Sequence, residues 1–298
     1  MSIATERDEI ILRQRPSVFA SLLSFARRKP LGAIGGAIVL LMIILAIFAP
    51  LLAPYDPTLL IDGGSARLKA PSLAFPMGTD NLGRDILSRV IWGARLSMMV
   101  GFLATIFGTG AGALIALATA YRGGKTDLVT QRFMDVIWAF PSLVVAIVII
   151  AVLGRNLTNV IIAISIVVVP SSARVVRSIV LVVKESDYVQ AAHAVGASEW
   201  RIIFRHVAPN CGAPYIIIAT ATLGGAIITE ASLSFLGLGI PPPTPSWGRD
   251  LFGSAQKFAE LAPWMPIMPG IAISVAVYGF NLFGDALRDI LDPRLRGG

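Results

Sequence analysis

Two histidines and one cysteine stand in a chain of 298 residues. A single thiol, Cys211, closes no disulfide within the chain. With so few imidazoles, no protein-built zinc site of about four nitrogen and sulfur ligands is expected. Charge is also scarce. Asp, Glu, Lys and Arg make up 14% of the residues, against about 25% in soluble domains, so the chain does not read as a water-soluble domain. The net charge of +7 comes from cations scattered along the chain. A nucleic-acid surface gathers its cations on one face, so nucleic acid is not an expected partner. No internal repeat stands out, and no Ser–base or Asp–Asp pair of the kind an intramembrane hydrolase needs. Gly124-Lys125-Thr126 ends like a phosphate-binding loop, but Thr119 stands where the first glycine belongs. The segment before it is a long apolar run, not a strand, so the chain is expected to hold no nucleotide site of its own.

What is present is apolar: 55% of the residues are hydrophobic. A spanning helix needs about 20 mainly apolar residues. Runs at 31–53, 96–120, 136–153, 160–171, 213–236 and 266–284 are candidates. Pro141 lies near the start of the third, and a turn or two with Arg174 and Arg177 extends the fourth. The first run is too long for a signal peptide core, so it is expected to remain as a helix. With the N-terminus in the cytoplasm, segments 1–30, 121–135, 172–210 and 286–298 hold 17 of the 25 Lys and Arg, and the opposite side holds 8. Cytoplasmic loops carry the excess of cations. The expectation is an all-α polytopic membrane protein with six transmembrane helices and both termini cytoplasmic. Gly108 and Gly112, spaced as small residues in a helix contact, point to close packing of the second span.

One cytoplasmic interruption carries a pattern of its own. Tyr188, Ala191, Ala192 and Val195 recur at helical spacing. Ser186 is a candidate N-cap, and Asp187 suits the positive helix end. Gly196 ends this helix in the left-handed conformation that glycine adopts without steric cost. Ser198 caps a second helix with Trp200, Ile203, Phe204 and Val207 on one face. Pro209 marks the return to the membrane. Two readings stand open here: a loop helix packed on its own domain, or a lever that docks into a partner. His193 and His206 read as interfacial. Glu230 is the one acidic residue well inside an apolar run. Such a group is either a carrier of protons or solute charge, or a helix–helix hydrogen bond near the span's outer end, and the structural role is favoured. Gly78–Arg84 has the chemistry of an ordered turn. Pro241, Pro242, Pro243 and Pro245 make a stiff outer segment, followed by a short surface helix at 252–261.

The stretch QAAHAVGASEWRIIFRHVAPN, residues 190–210, resembles the EAA loop of ABC-importer permeases: Glu-Ala-Ala, three residues, Gly, and later Pro. Ala191, Ala192, Gly196 and Pro209 fit; Gln190 replaces the Glu, and Ala208 the usual Leu. FPMGTDNLGRDILSRVIWGARLS, EASLSFLGLGIPPPTPSWG, APWMPIMPG and NLFGDALRDILDPRLR are similar to further segments of the C-type permeases of the dipeptide/oligopeptide/nickel family, although Phe75 stands where a His is often found. The resemblance implies a type I ABC importer permease fold. It divides the chain into residues 1–94, a transporting domain at 95–286 with a cytoplasmic coupling loop at 172–210, and a tail at 287–298. It implies a second permease subunit as heterodimer partner, two ATPases that hold ATP and magnesium, and an extracytoplasmic substrate-binding protein. This chain would bind no cofactor and catalyse nothing. Coupling would fall to Asp187, Tyr188, Gln190, Ala191, Ala192, Gly196, Ala197, Glu199, Arg201 and Pro209. Peptide is the expected cargo, with nickel or another small solute as the alternative. A proton-coupled transporter using Glu230 is the rival class.

Overall fold

The computed structural model describes residue 27 and residues 29–291, and every regular element among them is a helix. The basic N-terminal segment and the end of the tail, with Arg294 and Arg296, lie outside the described residues.

Helix α1 (Pro30–Ile47) opens with proline at its first turn, where the missing N–H would have had no intrahelical partner. A short turn, α2 (Ala49–Leu52), follows. Helix α3 (Ile86–Arg122) starts well before its apolar run, because Asp85 Oδ2 accepts the Ser88 N–H at 2.8 Å and caps the helix there. Helices α4 (Gly124–Trp138) and α5 (Ser142–Leu153) meet at 90°. The expected single helix over 136–153 is therefore corrected to a bent pair. Pro141 has no N–H, disfavours the helical region for the residue before it and itself has ψ 130°; the ladder restarts when Val144 and Val145 donate to its carbonyl at 2.9 and 3.2 Å. Helix α6 (Leu157–Val183) is capped by Asn156, whose Oδ1 accepts from Asn159 N at 2.8 Å. Helices α7 (Asp187–Ala194) and α8 (Glu199–Ile202), a π turn at Ile203–Val207 and α9 (Ala208–Phe235) come next, then α10 (Trp247–Ala255) and α11 (Trp264–Leu291). Five stretches are long and apolar enough to cross a membrane, or six with the bent pair as one.

Between lipid-embedded helices little hydrophobic force remains, so close approach decides the packing. A Cβ on Gly108 would stand 2.6 Å from the Ser165 carbonyl oxygen, and one on Gly112 2.5 Å from that of Val169. Bare glycine thus lets α3 lie directly on α6. Ser165 Oγ donates to Ala104 O at 3.2 Å and Ser172 Oγ to Thr109 O at 2.8 Å across the same seam. Helix α9 packs on α3 and α11, and α11 on α1. At one end of the bundle Lys29 Nζ meets Asp289 Oδ2 at 2.6 Å, and Lys184 Nζ, in the α6–α7 connection, donates to Ala120 O near the end of α3 at 3.5 Å. At the other end Arg155 Nη1 donates to Gly237 O at 3.0 Å and Trp264 Nε1 to Thr79 O at 3.3 Å.

Candidate coupling site

After α6 ends at Val183, the chain turns through Lys184–Ser186. Ser186 occupies the N-cap position of α7 but does not cap it: its Oγ donates back to Val183 O at 2.5 Å. Ser198 likewise makes no side-chain cap on α8. The C-terminal signal is obeyed in full. Gly196 has φ +77°, its N–H donates to His193 O at 2.9 Å, and Ala197 N donates to Ala192 O at 3.1 Å. These two bonds form a Schellman motif, and Ala197 packs near Ala192 as the motif's apolar contact.

The faces of α7 differ from the expected stripe. Val189 and Ala192 turn inward, into a cluster with Ala120, Val180, Ile202 and Cys211. Ala191 points outward. So do Tyr188 (47% exposed), Val195 (84%), Trp200 (60%) and Phe204 (59%). On the α8 side the buried residues are Ile202, Ile203 and Val207, and Trp200 stacks on Phe204 with centroids 5.8 Å apart. Apolar spacing shows that a face is covered by something; it does not distinguish the chain's own core from another surface.

Two anchors hold α7. The Tyr121 hydroxyl at the end of α3 and His193 Nε2 are hydrogen-bonded at 2.8 Å, with their rings stacked. Asn210 Nδ2, in the first turn of α9, donates to Tyr188 Oη at 3.0 Å and to His206 O at 2.6 Å. Gln190 Nε2 donates to Lys184 O at 3.2 Å, so this side chain braces its own turn. Asp187, Glu199 and Arg201 lie exposed around the apolar row. Pro209 does not break the chain away from α8. Ala208 N donates to Ile203 O, five residues back, and the proline then sits in the first turn of α9, where its missing N–H is tolerated. Glu199–Phe235 is consequently one run of 37 residues. Tyr121 and Asn210 carried no spacing signal in the sequence.

A second polar constellation lies in the other half of the bundle. Glu230 is fully buried in α9. Its Oε1 accepts from Ser234 Oγ at 2.8 Å and Ser246 Oγ at 3.1 Å, and its Oε2 from Ser97 Oγ at 3.1 Å. The carboxylate thereby joins α9, α3 and the start of α10. Beside it Trp247 Nε1 donates to Val90 O at 2.8 Å, and Arg89 binds Asp250 through Nε at 3.1 Å and Nη2 at 2.5 Å. Nearer the α7 end, Arg177 grips Asp127 through two bonds of 2.8 and 2.7 Å, tying α6 to α4.

The helical order and its exposed amphipathic interruption define a class. The fold matches a chain of the inward-facing MetNI methionine ABC transporter with a TM-score of 0.53 and 16% identity, covering 70% of this chain and 96% of that one. The fold is that of an ABC importer permease. Residues 108–297 match the family of binding-protein-dependent transport system inner membrane components, and the chain belongs to that family as a multi-pass membrane subunit. Residues 25–71 match the N-terminal transmembrane domain of oligopeptide transport permease C. The chain is 44% identical to the dipeptide transport system permease protein DppC of Alkalihalophilus pseudofirmus, over 91% of this chain and 88% of that one. It is 42% identical to the di/tripeptide transport system permease protein DppC of Pseudomonas aeruginosa (92% and 91% covered). It is 39% identical to the glutathione transport system permease protein GsiD of Pectobacterium atrosepticum (90% and 89%).

Proposed function

We propose that this chain is one of two different permease subunits of an ATP-driven importer of small peptides. The end that carries α7 and α8 faces the cytoplasm, and both termini lie there. Residues 95–286 form the transporting core. Two ATPases attach at this end and hold the ATP and magnesium, while this chain binds no cofactor. A binding protein delivers peptide at the opposite end.

The carrying observation is the exposed apolar row Tyr188, Val195, Trp200 and Phe204 on a unit pinned to both α3 and α9. Apolar surface of this kind, rimmed by polar residues, marks a protein contact. Asp187, Gln190, Ala191, Glu199 and Arg201 form the rim, Ala192 and Ala197 the packed base, and Gly196 and Pro209 set the angles. A rigid element held between two bodies has the two positions that transmission requires. The distribution of 17 against 8 cations supports the orientation. The names of the relatives support a peptide cargo. Glu230 is read as a structural joint, since three hydroxyls donate to it.

The test uses the reconstituted complex in proteoliposomes. Dipeptide uptake is expected to require ATP and the binding protein, and to survive collapse of the proton gradient. Ala191→Arg, on the outward face, is expected to weaken ATPase co-purification and abolish stimulated hydrolysis. Uptake that persists without ATP and stops with a protonophore sinks the proposal in favour of a proton-coupled transporter.

A further inference from the structure

Arg95 stands apart from the arginines that precede it. Arg84 pairs with Asp80 and Arg89 with Asp250. Arg95, exposed on α3, has no carboxylate within ion-pair distance and donates no hydrogen bond among the described residues. Its guanidinium carbon lies 5.5 Å from the centre of the Trp92 ring. The height of Arg95 in the bilayer follows from α1. That helix has 18 residues, about 27 Å at 1.5 Å per residue, close to the hydrocarbon thickness of about 30 Å. Its last residue, Ile47, therefore marks the hydrocarbon boundary at the end opposite α7. Arg95 and Ile47 line one groove of about 360 Å³ between α1 and α3, so the guanidinium stands at that boundary. Tryptophan favours the same level. The rest of the groove is apolar, with Ile43, Met98, Met99 and Phe102 among its walls. From Arg95 to Phe102 it descends along α3 by about 10 Å, two helical turns.

We propose that Arg95 and this groove bind a glycerophospholipid, its phosphate on the guanidinium and one acyl chain laid between α1 and α3. Charge and shape point to the same occupant. A cation at the edge of the hydrocarbon is costly unless it reaches an anion or water, and the planar guanidinium fork matches a phosphate through two parallel bonds. An apolar groove opening to lipid holds no water, so hydrocarbon fills it. A phospholipid carries both parts in the required order, the anion at the boundary and the chain beneath it. Met98 and Met99 suit a chain of irregular shape, because the thioether side chain adapts to its neighbour. The site needs only the membrane-embedded fold; neither the cargo nor the direction of coupling enters.

The assembled complex in nanodiscs is irradiated with phosphatidylglycerol that carries a diazirine in the upper half of one acyl chain, and the adducts are mapped by mass spectrometry. Adducts are expected on residues 43–47 and 98–102. Arg95→Ala is expected to lower them roughly tenfold, the effect of one hydrogen bond to a charged group, and Arg95→Lys to lower them less. A diacylglycerol with the same diazirine chain, which lacks the phosphate, is expected to label these segments weakly. If Arg95→Ala does not assemble, Met99→Trp takes its place. Met99 faces outward, and the larger ring fills the groove while Arg95 stays, so labelling should fall. Equal labelling by the two probes, or labelling that neither variant lowers, overturns the site, since the chain in the groove would then be bulk lipid. Absence of adducts on both segments also overturns it; a cross-link from Ile47→Cys to a second membrane subunit would then give the occupant as a protein helix. Transport is not the readout, so failure of the importer reading leaves this result standing.

Discussion

Gly196 offers the most direct test of the coupling segment, because its structural cost can be isolated. The residue has φ +77°, and a Cβ built on it would meet nothing within 4 Å. Replacement therefore brings no clash, only the backbone penalty. An L-residue in the left-handed region costs about 1–2 kcal/mol, a β-branched one at the upper end, and asparagine least, since its side chain bonds locally there. A shift of about 1.4 kcal/mol is tenfold in an equilibrium. Gly196→Asn should thus remain close to wild type, Gly196→Ala should reduce the capped conformation severalfold, and Gly196→Val tenfold or more. Each loss releases the Gly196–His193 and Ala197–Ala192 bonds and frees α7 to change its angle to α8. The assay is ATP hydrolysis by the assembled complex, with and without peptide-loaded binding protein. Stimulation should fall in the order Asn, Ala, Val while membrane insertion stays intact, since the spanning helices are untouched. Equal stimulation across the series, or a loss with Asn as large as with Val, would refute the role assigned to the left-handed turn.

Three other outcomes are expected. Glu230→Gln keeps an oxygen that accepts from two of the serines and an amide N–H that the third can accept once its hydroxyl turns, and should preserve uptake, whereas Glu230→Leu strands them at a cost of about 1–3 kcal/mol and should lower complex yield; a dead but normally assembled Gln variant would mean that the charge itself is needed. Arg89→Ala leaves Asp250 without its guanidinium partner, and loss of one member of a buried pair costs about 3–5 kcal/mol; thermal unfolding in detergent should shift down by several degrees, and an unchanged midpoint counts against a structural pair. Cysteines at Ser198 and Gly124, both exposed at the α7 end, should be shielded in intact cells from an impermeant thiol reagent, while Ser65→Cys and Gln256→Cys should react; external labelling at Ser198 would invert the proposed orientation.

The helix–glycine–helix unit was legible because its signal is local: a left-handed turn wants glycine, and Gly196 has that conformation. The apolar runs were legible for a similar reason, since length and hydropathy act residue by residue. The inward face of α7 was not. Tyr188, Ala191 and Val195 are as apolar in pattern as Val189 and Ala192, and only tertiary packing decides which pair faces the core. Pro141 and Pro209 read alike in sequence but act oppositely. Pro141 turns the chain by 90°, whereas the i−5 bond from Ala208 to Ile203 lets the helix continue through Pro209. The partners of Glu230 were hidden by distance along the chain, with Ser97 separated from it by 133 positions.

The unbroken run Glu199–Phe235 has a mechanical consequence. At about 1.5 Å per residue, its 37 residues make a mast of about 55 Å that stands in the α7–α8 unit at its foot and is moored at its head through the bonds that Glu230 accepts from Ser97 and Ser246. A tilt of only about 5° about one end would carry the other by about 5 Å, with no residue along the shaft changing conformation. A compliant joint near the foot is the π turn at Ile203–Val207, a turn type frequent at functional sites. It contains the exposed Phe204 and begins three residues after the exposed Trp200, so movement imposed at the foot meets slack first and a stiffer shaft after it.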